Sequence, residues 1–299
     1  MLDFAEINLG DKALFDLHLK NYNPQASELT FTNLFMWRGY YRIRYTLVNG
    51  MLCIVSVPLD SPPFAFMPVG MQQPEVLKDT VYRLKEYFDK NGWQLRFSRL
   101  DENETIRLKE ASDFEYDVVL DRNNSDYLYS SDDLVFLRGK KYDGKRNHIN
   151  KFNKLYESEY IVMNGTHIGE CNRIMEEWCA KRSCDDHKTY YCEKLANLEA
   201  LNNFSLLGFK GAMIKVNGRF EAFTIGEMLN SDTAVIHIEK ANDGINGLYT
   251  LVNQKFAEHQ WKEARYINRE QDLGVEGLRK SKLSYNPVKL INKYIATVL

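Results

Sequence analysis

Apolar positions along the chain recur with two periods, and the period changes element by element. RIRYTLV, then Asn49-Gly50, then MLCIVSV read as strand, type I′ turn and strand, because both turn residues tolerate positive φ. A third strand is expected at residues 64–69. Pro74 opens a helix carried by Val76, Leu77, Val81, Leu84 and Phe88, with Gly92 beyond its end. Strand 93–99, helix 102–111 and strand 115–120 follow. Upstream, residues 10–22 and 27–37 read as two short helices, the first with Leu14, Leu17 and Leu19.

The same order then returns. Residues 160–163 read as a short strand, and Ile168, Cys171, Ile174, Met175, Trp178 and Cys179 fall at helical spacing. Tyr191, Leu195, Leu198 and Leu201 give a second helix. Asn217-Gly218 joins strands 211–216 and 219–227 in a second hairpin, 168 residues after the first. Strand 234–239 leads through a Gly/Asn/Asp loop into a helix with Ile245, Leu248, Tyr249, Val252 and Phe256. Arg99 and Arg269, Leu108 and Leu278, and Leu120 and Leu290 stand at a constant offset of 170. Order and spacing hold over about 110 residues, which predicts a tandem duplication of one α/β unit. The expected boundaries are 1–124 for the first domain, 125–155 for a connecting segment and 156–299 for the second domain.

Charge changes this picture in one place. The 299 residues carry a net charge of −2, so no global attraction to nucleic acid or membrane is expected. Between Arg138 and Lys154, however, seven Lys/Arg stand against one acid. Lys141, Lys145 and Arg146 of this connector are candidates to meet an acidic polymer or a phosphate-rich substrate. A merely solvated face is the plain alternative. No apolar run approaches the 18 residues of a membrane span. The acidic N-terminus lacks a signal-peptide pattern, and five cysteines without framework spacing fit a reducing, cytoplasmic setting. Cys179, Cys184, His187 and Cys192 lack metal-ligand spacing, so no metal is expected.

Three further groups could carry chemistry. The loop with Asn242, Gly244, Asn246 and Gly247 lies between a strand end and a helix start, where backbone N–H groups can meet an anion; a plain helix cap is the alternative. His237 and Glu239 alternate on one strand with Val235, and Glu227 ends the neighbouring strand. Together they could orient an amine and accept its proton, or simply form a charged sheet edge. Glu270, Asp272, Arg279 and Lys282 follow the penultimate strand; Arg279 could clamp a carboxylate or phosphate and Asp272 an amino group, or they could be cap and surface charge.

Each unit's order is similar to the fold of the GNAT superfamily, so the fold class is α/β (α+β), a tandem acyl-CoA N-acyltransferase (GNAT)-like fold. Two such units resemble the Fem-type aminoacyltransferases and the C-terminal domain of phosphatidylglycerol lysyltransferase. LRGKKYDGKRNHINKF, HIEKAND and NREQDLGVEGLRKSKLSYNP are the stretches that resemble the latter family. The resemblance implies transfer of an aminoacyl or acyl group to an amine or hydroxyl, with aminoacyl-tRNA or acyl-CoA as co-substrate and no tightly bound cofactor. It implies that the loop at 242–247 cradles the pyrophosphate when coenzyme A is the carrier, although the usual Q/R-x-x-G-x-G/A signature is absent. An acetyl-CoA-dependent N-acetyltransferase and a non-catalytic ligand-binding protein of the same fold are the alternatives.

Overall fold

Both Asn-Gly dipeptides form the turns their chemistry requires. Asn49 and Gly50 have φ of 53° and 75°, and Asn217 and Gly218 have 49° and 83°. Strand Ile43–Val48 therefore folds back on Met51–Ser56, and Lys210–Val216 on Arg219–Met228. The computed structural model describes residues 2–70, 73–184 and 188–299. In it the two hairpins sit at the same positions of two seven-stranded sheets.

The first sheet runs Ala5–Glu6, Ile43–Val48, Met51–Ser56, Phe64–Ala65, Arg96–Leu100, Tyr294–Val298, Tyr116–Leu120. The second runs Ser158–Val162, Lys210–Val216, Arg219–Met228, Thr233–Ala241, Tyr266–Asn268, Asp126–Ser130, Lys289–Ile291. In both, the fourth and fifth positions are parallel. In both, the sixth position is filled by a strand from elsewhere in the chain. The last strand of the protein completes the first sheet, and the strand that follows the first unit completes the second. The duplicated α/β architecture expected from the repeat is thus present, with its closing strands exchanged.

That exchange corrects the expected boundaries. One compact unit comprises the residues up to Asp126 with Gln271–Gly274 and Leu290–Leu299; the other comprises Tyr127–Glu270 and Val275–Lys289. Residues 125–155 are not a connector. Tyr127, Leu128 and Tyr129 are buried strand residues, the strand is laddered to Tyr266–Asn268 through Leu128, Tyr129 and Ser130, and helices Ser131–Phe136 and Asp143–Leu155 belong to the second unit.

Helix Pro74–Lys90 buries Leu77, Val81, Leu84 and Phe88 against the first sheet, each burial stabilising by about 2 kcal/mol. Helix Lys12–Tyr22 instead buries Phe15 and Leu19, leaving Leu17 exposed, so its inner face is rotated from the expected one. The first unit also holds an ionic cluster. Fully buried Lys293 lies 2.7 Å from Asp126 and 2.5 Å from Glu28, and Arg99 lies 3.2 Å from Glu28 and 3.0 Å from Asp121. In the second unit, helix Asp143–Leu155 packs Phe152 against Leu248, Leu251 and Val252. Gly247, at φ 90°, lets the two helices approach: a Cβ there would stand 2.7 Å from the His148 carbonyl oxygen.

Candidate functional site

Strands Thr233–Ala241 and Tyr266–Asn268 pair only from Thr233/Tyr266 to Val235/Asn268. Beyond that point the first strand continues and the second has ended, so side chains bridge the parting. Arg269 Nη2 donates to Glu239 Oε1 at 2.9 Å, and His237 Nδ1 lies 2.9 Å from Glu270 Oε1.

A bulge aims His237 into this place. Ile225 pairs with Ile238 and Gly226 with Ile236, leaving His237 as the extra residue. Bulges of this kind re-aim single side chains. The slip also overturns the expected common face. Val235 stands opposite Glu227 and Glu239 opposite Thr224, an odd step on the partner strand, so Val235 and Glu239 point to opposite sides.

The structure brings His237 and Glu227 together, with Nε2 2.9 Å from Glu227 Oε1. The imidazole thus bridges two carboxylates. Burial alone would lower its pKa, but the hydrogen bonds and charges of Glu227 and Glu270 outweigh burial and raise it to about 9. At neutral pH it is an imidazolium with both N–H groups committed. This corrects the expectation that His237 accepts a proton. Glu239 is equally engaged, by Arg269 and by Asn253 Nδ2 at 3.1 Å, so it is a brace for Arg269 and not a free base.

Two cations meet on Tyr285. The Arg269 guanidinium carbon lies 4.7 Å from the ring centroid and Lys145 Nζ 3.6 Å from it. Lys145 Nζ also donates to Ser284 Oγ at 2.7 Å. Burial, and then the charge of Arg269, hold the Lys145 pKa down at about 8. Of the three basic residues expected to act together, Lys145 alone joins this cluster. Lys141 pairs with Asp133 at 2.9 Å. Arg146 donates to the carbonyls of Leu137 and Gly139 and to Asp143, tying down the turn before its own helix.

The remaining candidates are placed differently from expectation. Lys282 Nζ donates to the carbonyl oxygens of Arg269 and Glu270, so it fixes the backbone on which the site stands. Asp272 belongs to the first unit, is fully buried, pairs with Arg122 at 3.2 Å and accepts from the Gly274 amide at 2.8 Å. Buried and paired in this way, it does not offer a carboxylate to a ligand's amino group. Arg279 is half-buried on helix Glu276–Leu283 of the second unit.

The loop at 242–247 lies where expected, but several amides in it and just after it are already used. The Gly244 amide donates to Asn242 Oδ1, the Ile245 amide to Asn242 O and the Leu248 amide to Ile245 O. Asn242 also donates to Glu221 Oε2 at 2.9 Å, and Asn246 Oδ1 lies 3.2 Å from His148 Nδ1. With Gly247 against the His148 carbonyl, this is a helix cap and packing joint. Among the described residues no group of three or more His, Cys, Asp or Glu is arranged to hold a metal; His187 lies outside them.

Sequence reasoning missed Tyr285 and Asn253 and gave Arg269 no role. The repeat held the signal for Arg269, since Arg99 at the matching position is also buried against a glutamate.

A family model described as phosphatidylglycerol lysyltransferase, C-terminal, matches residues 19–297. A crystal structure of a conserved protein of unknown function from Bacteroides thetaiotaomicron is 35% identical, with a TM-score of 0.94 and full coverage of both chains. The structure of L-PGS from Bacillus licheniformis is 15% identical with a TM-score of 0.65, covering 96% of this chain and 92% of that one. FemX shares the fold at 9% identity and a TM-score of 0.58, over 100% of this chain and 98% of that one. An uncharacterised protein of Mycoplasmoides gallisepticum is 26% identical over 189 residues, 62% of this chain. The match spans 60% of that relative's length. The sequence thus resembles the phosphatidylglycerol lysyltransferase C-terminal family, and the fold is shared with L-PGS and FemX. No described helix is long and apolar enough to cross a membrane.

Proposed function

The chain belongs to the phosphatidylglycerol lysyltransferase C-terminal family, and on that premise we propose that it is an acyltransferase moving an aminoacyl group from charged tRNA to an amine or hydroxyl. The observation that carries this reading is the parting of strands Thr233–Ala241 and Tyr266–Asn268, bridged by charged side chains of both signs. A neutral acetyl group has no use for such a lining. An aminoacyl ester has an ammonium at one end and a phosphate-bearing nucleotide at the other.

In this reading the partly exposed edges of Glu227 and Glu270 face the ammonium, while Arg269 faces the anionic side and, adding to burial, keeps the neighbouring Lys145 amine poised to lose its proton. His237, protonated, keeps the two carboxylates from repelling each other. The acceptor's lone pair adds to the ester carbonyl, and the carbon–oxygen bond to the ribose then breaks. Lys145, near pKa 8, takes the acceptor's proton and returns it to the ribose oxygen, a poise suited to acid–base work near neutral pH. The amides of 244, 245 and 248 are used within the chain, which leaves fewer donors for a coenzyme A pyrophosphate there. One observation favours a second reading, a ligand-binding protein without chemistry: the histidine is tied at both nitrogens.

The test mixes pure protein with labelled charged tRNAs and, separately, with acetyl-CoA, at low and physiological salt. Binding and protein-dependent release of the amino acid are measured. Expected are charged-tRNA binding that weakens with salt and release that falls at least ~100-fold in Lys145→Met. Tight acetyl-CoA binding without tRNA binding reverses the donor. Binding without release supports the second reading.

A further inference from the structure

We propose that the first unit has its own binding site, an aromatic cleft that takes a primary ammonium carried on a short aliphatic chain. The cleft is lined by Trp37, Tyr41, Phe64, Phe66, Glu28, Gln271 and, beside Glu28, Arg99, all within the first unit, and its cavity measures about 60 Å³. That is room for about four waters or a short aliphatic chain.

Two features set the chemistry of its occupant. The first is a mismatch of donors and acceptors. Glu28 Oε1 and Gln271 Oε1 are buried oxygens that receive no hydrogen bond. Glu28 Oε1 lies 3.2 Å from Arg99 Nε as an ion pair but outside hydrogen-bonding geometry. Buried acceptors left without donors are uncommon in folded proteins and call for a partner. Two of them in one cleft call for a ligand that brings N–H or O–H groups. The second feature is the wall. Trp37 and Tyr41 meet with ring centroids 5.9 Å apart, and Phe64 and Phe66 at 5.4 Å. Aromatic faces favour a cation over a neutral donor, and they bury the methylenes behind it.

Around the cleft the ionic cluster has one acid more than it has bases, which leaves charge for an added cation to meet. Glu28, Asp121 and Asp126 are paired with Arg99 and Lys293, three acids to two bases. The site makes no use of the residues placed in the second unit's parting, so it stands or falls apart from the donor assignment.

The experiment titrates the full chain with n-butylammonium and with Nα-acetyl-lysine N-methylamide, against n-butanol and butyrate as neutral and anionic controls. Calorimetry and ligand-observed NMR supply the readouts. Both amines are expected to bind at millimolar concentration or better, with the controls at least about five-fold weaker. Trp37→Leu and Gln271→Leu should each weaken the amines by about five-fold while leaving circular dichroism unchanged. Glu28→Gln is read only alongside a folding measurement, because Glu28 also holds Lys293. Binding of butylammonium without the blocked lysine assigns the cleft to free amines; binding of both extends it to lysine chain ends of peptides. Equal binding of butanol or butyrate, no amine binding at millimolar concentration, or unchanged binding in both Leu variants would overturn the proposal.

Discussion

The bridged histidine makes stability depend on pH in a calculable direction. His237 has a folded-state pKa of about 9 against about 6.5 for an unperturbed imidazole. Because the folded value is the higher, the stabilisation is fully present below about pH 6.5 and is lost as pH rises through 9. Each pH unit between the two values is worth about 1.4 kcal/mol, so the whole window is worth about 3 kcal/mol. Other groups titrate nearby. Glu104 of the first unit sits at about 7 and Lys145 at about 8, while the Arg269 guanidinium, held up against burial by the charge of Glu239, keeps its charge. The comparison is therefore the difference between wild type and His237→Gln, in which common contributions cancel. Urea denaturation at pH 6, 7, 8 and 9 should show the wild-type advantage shrinking by about 3 kcal/mol, with most of the loss above pH 7. Imidazole NMR should place the His237 titration well above neutrality. Parallel stability profiles, or an imidazole titrating near 6.5, would refute the doubly bridged imidazolium and restore His237 as a candidate base.

Three other outcomes are expected. Lys293→Ala should destabilise the first unit by about 3–5 kcal/mol, because it leaves Asp126 and Glu28 buried without their cation; calorimetry checks this against Lys12→Ala, whose exposed pair with Asp16 should be worth under about 1 kcal/mol. Gly247→Ala should cost about 2 kcal/mol or more, since its φ of 90° and the His148 carbonyl 2.7 Å from the new Cβ both oppose a side chain; denaturant midpoints measure it, and a neutral result would mean the helices part easily. Glu104 is raised to about 7 by burial and by the charge of Asp101, so the folded state keeps a proton the unfolded state releases between about 4.5 and 7, and stability falls as pH rises through that range. Glu104→Gln should flatten this dependence by up to about 3 kcal/mol, and an unchanged pH profile would show that Glu104 ionises normally.

The sequence was most legible where local chemistry decides geometry. Asn-Gly at 49–50 and 217–218 fixes a turn without help from the rest of the chain, and the regular spacing of Leu77, Val81, Leu84 and Phe88 fixes a helix face. Those features revealed the duplication. The strand exchange left no comparable trace. Asp126–Ser130 and Tyr294–Val298 are each five residues long, and nothing in five residues tells a strand which of two similar sheets it completes. Its destination is decided by the vacancy between the fifth position and the sheet's outer strand. The site shows the same limit. Reading His237, Glu239 and Val235 by alternation assumed an unbroken ladder, and one extra residue at His237 inverted the relation. A bulge is a property of two strands in register, not of one. Charge pairing is also a property of the assembled molecule. Asp272 and Arg279 looked like two ends of one clamp in the sequence, yet the contacts give them to different units. Arg269, which had only its repeat position to mark it, became a bridge across the parting because Glu239 and Tyr285 converge on it. In a duplicated fold, residues that match across the repeat and are buried in charged form therefore point to the site better than exposed charge runs do, since burying a charge is costly unless the fold supplies partners for it.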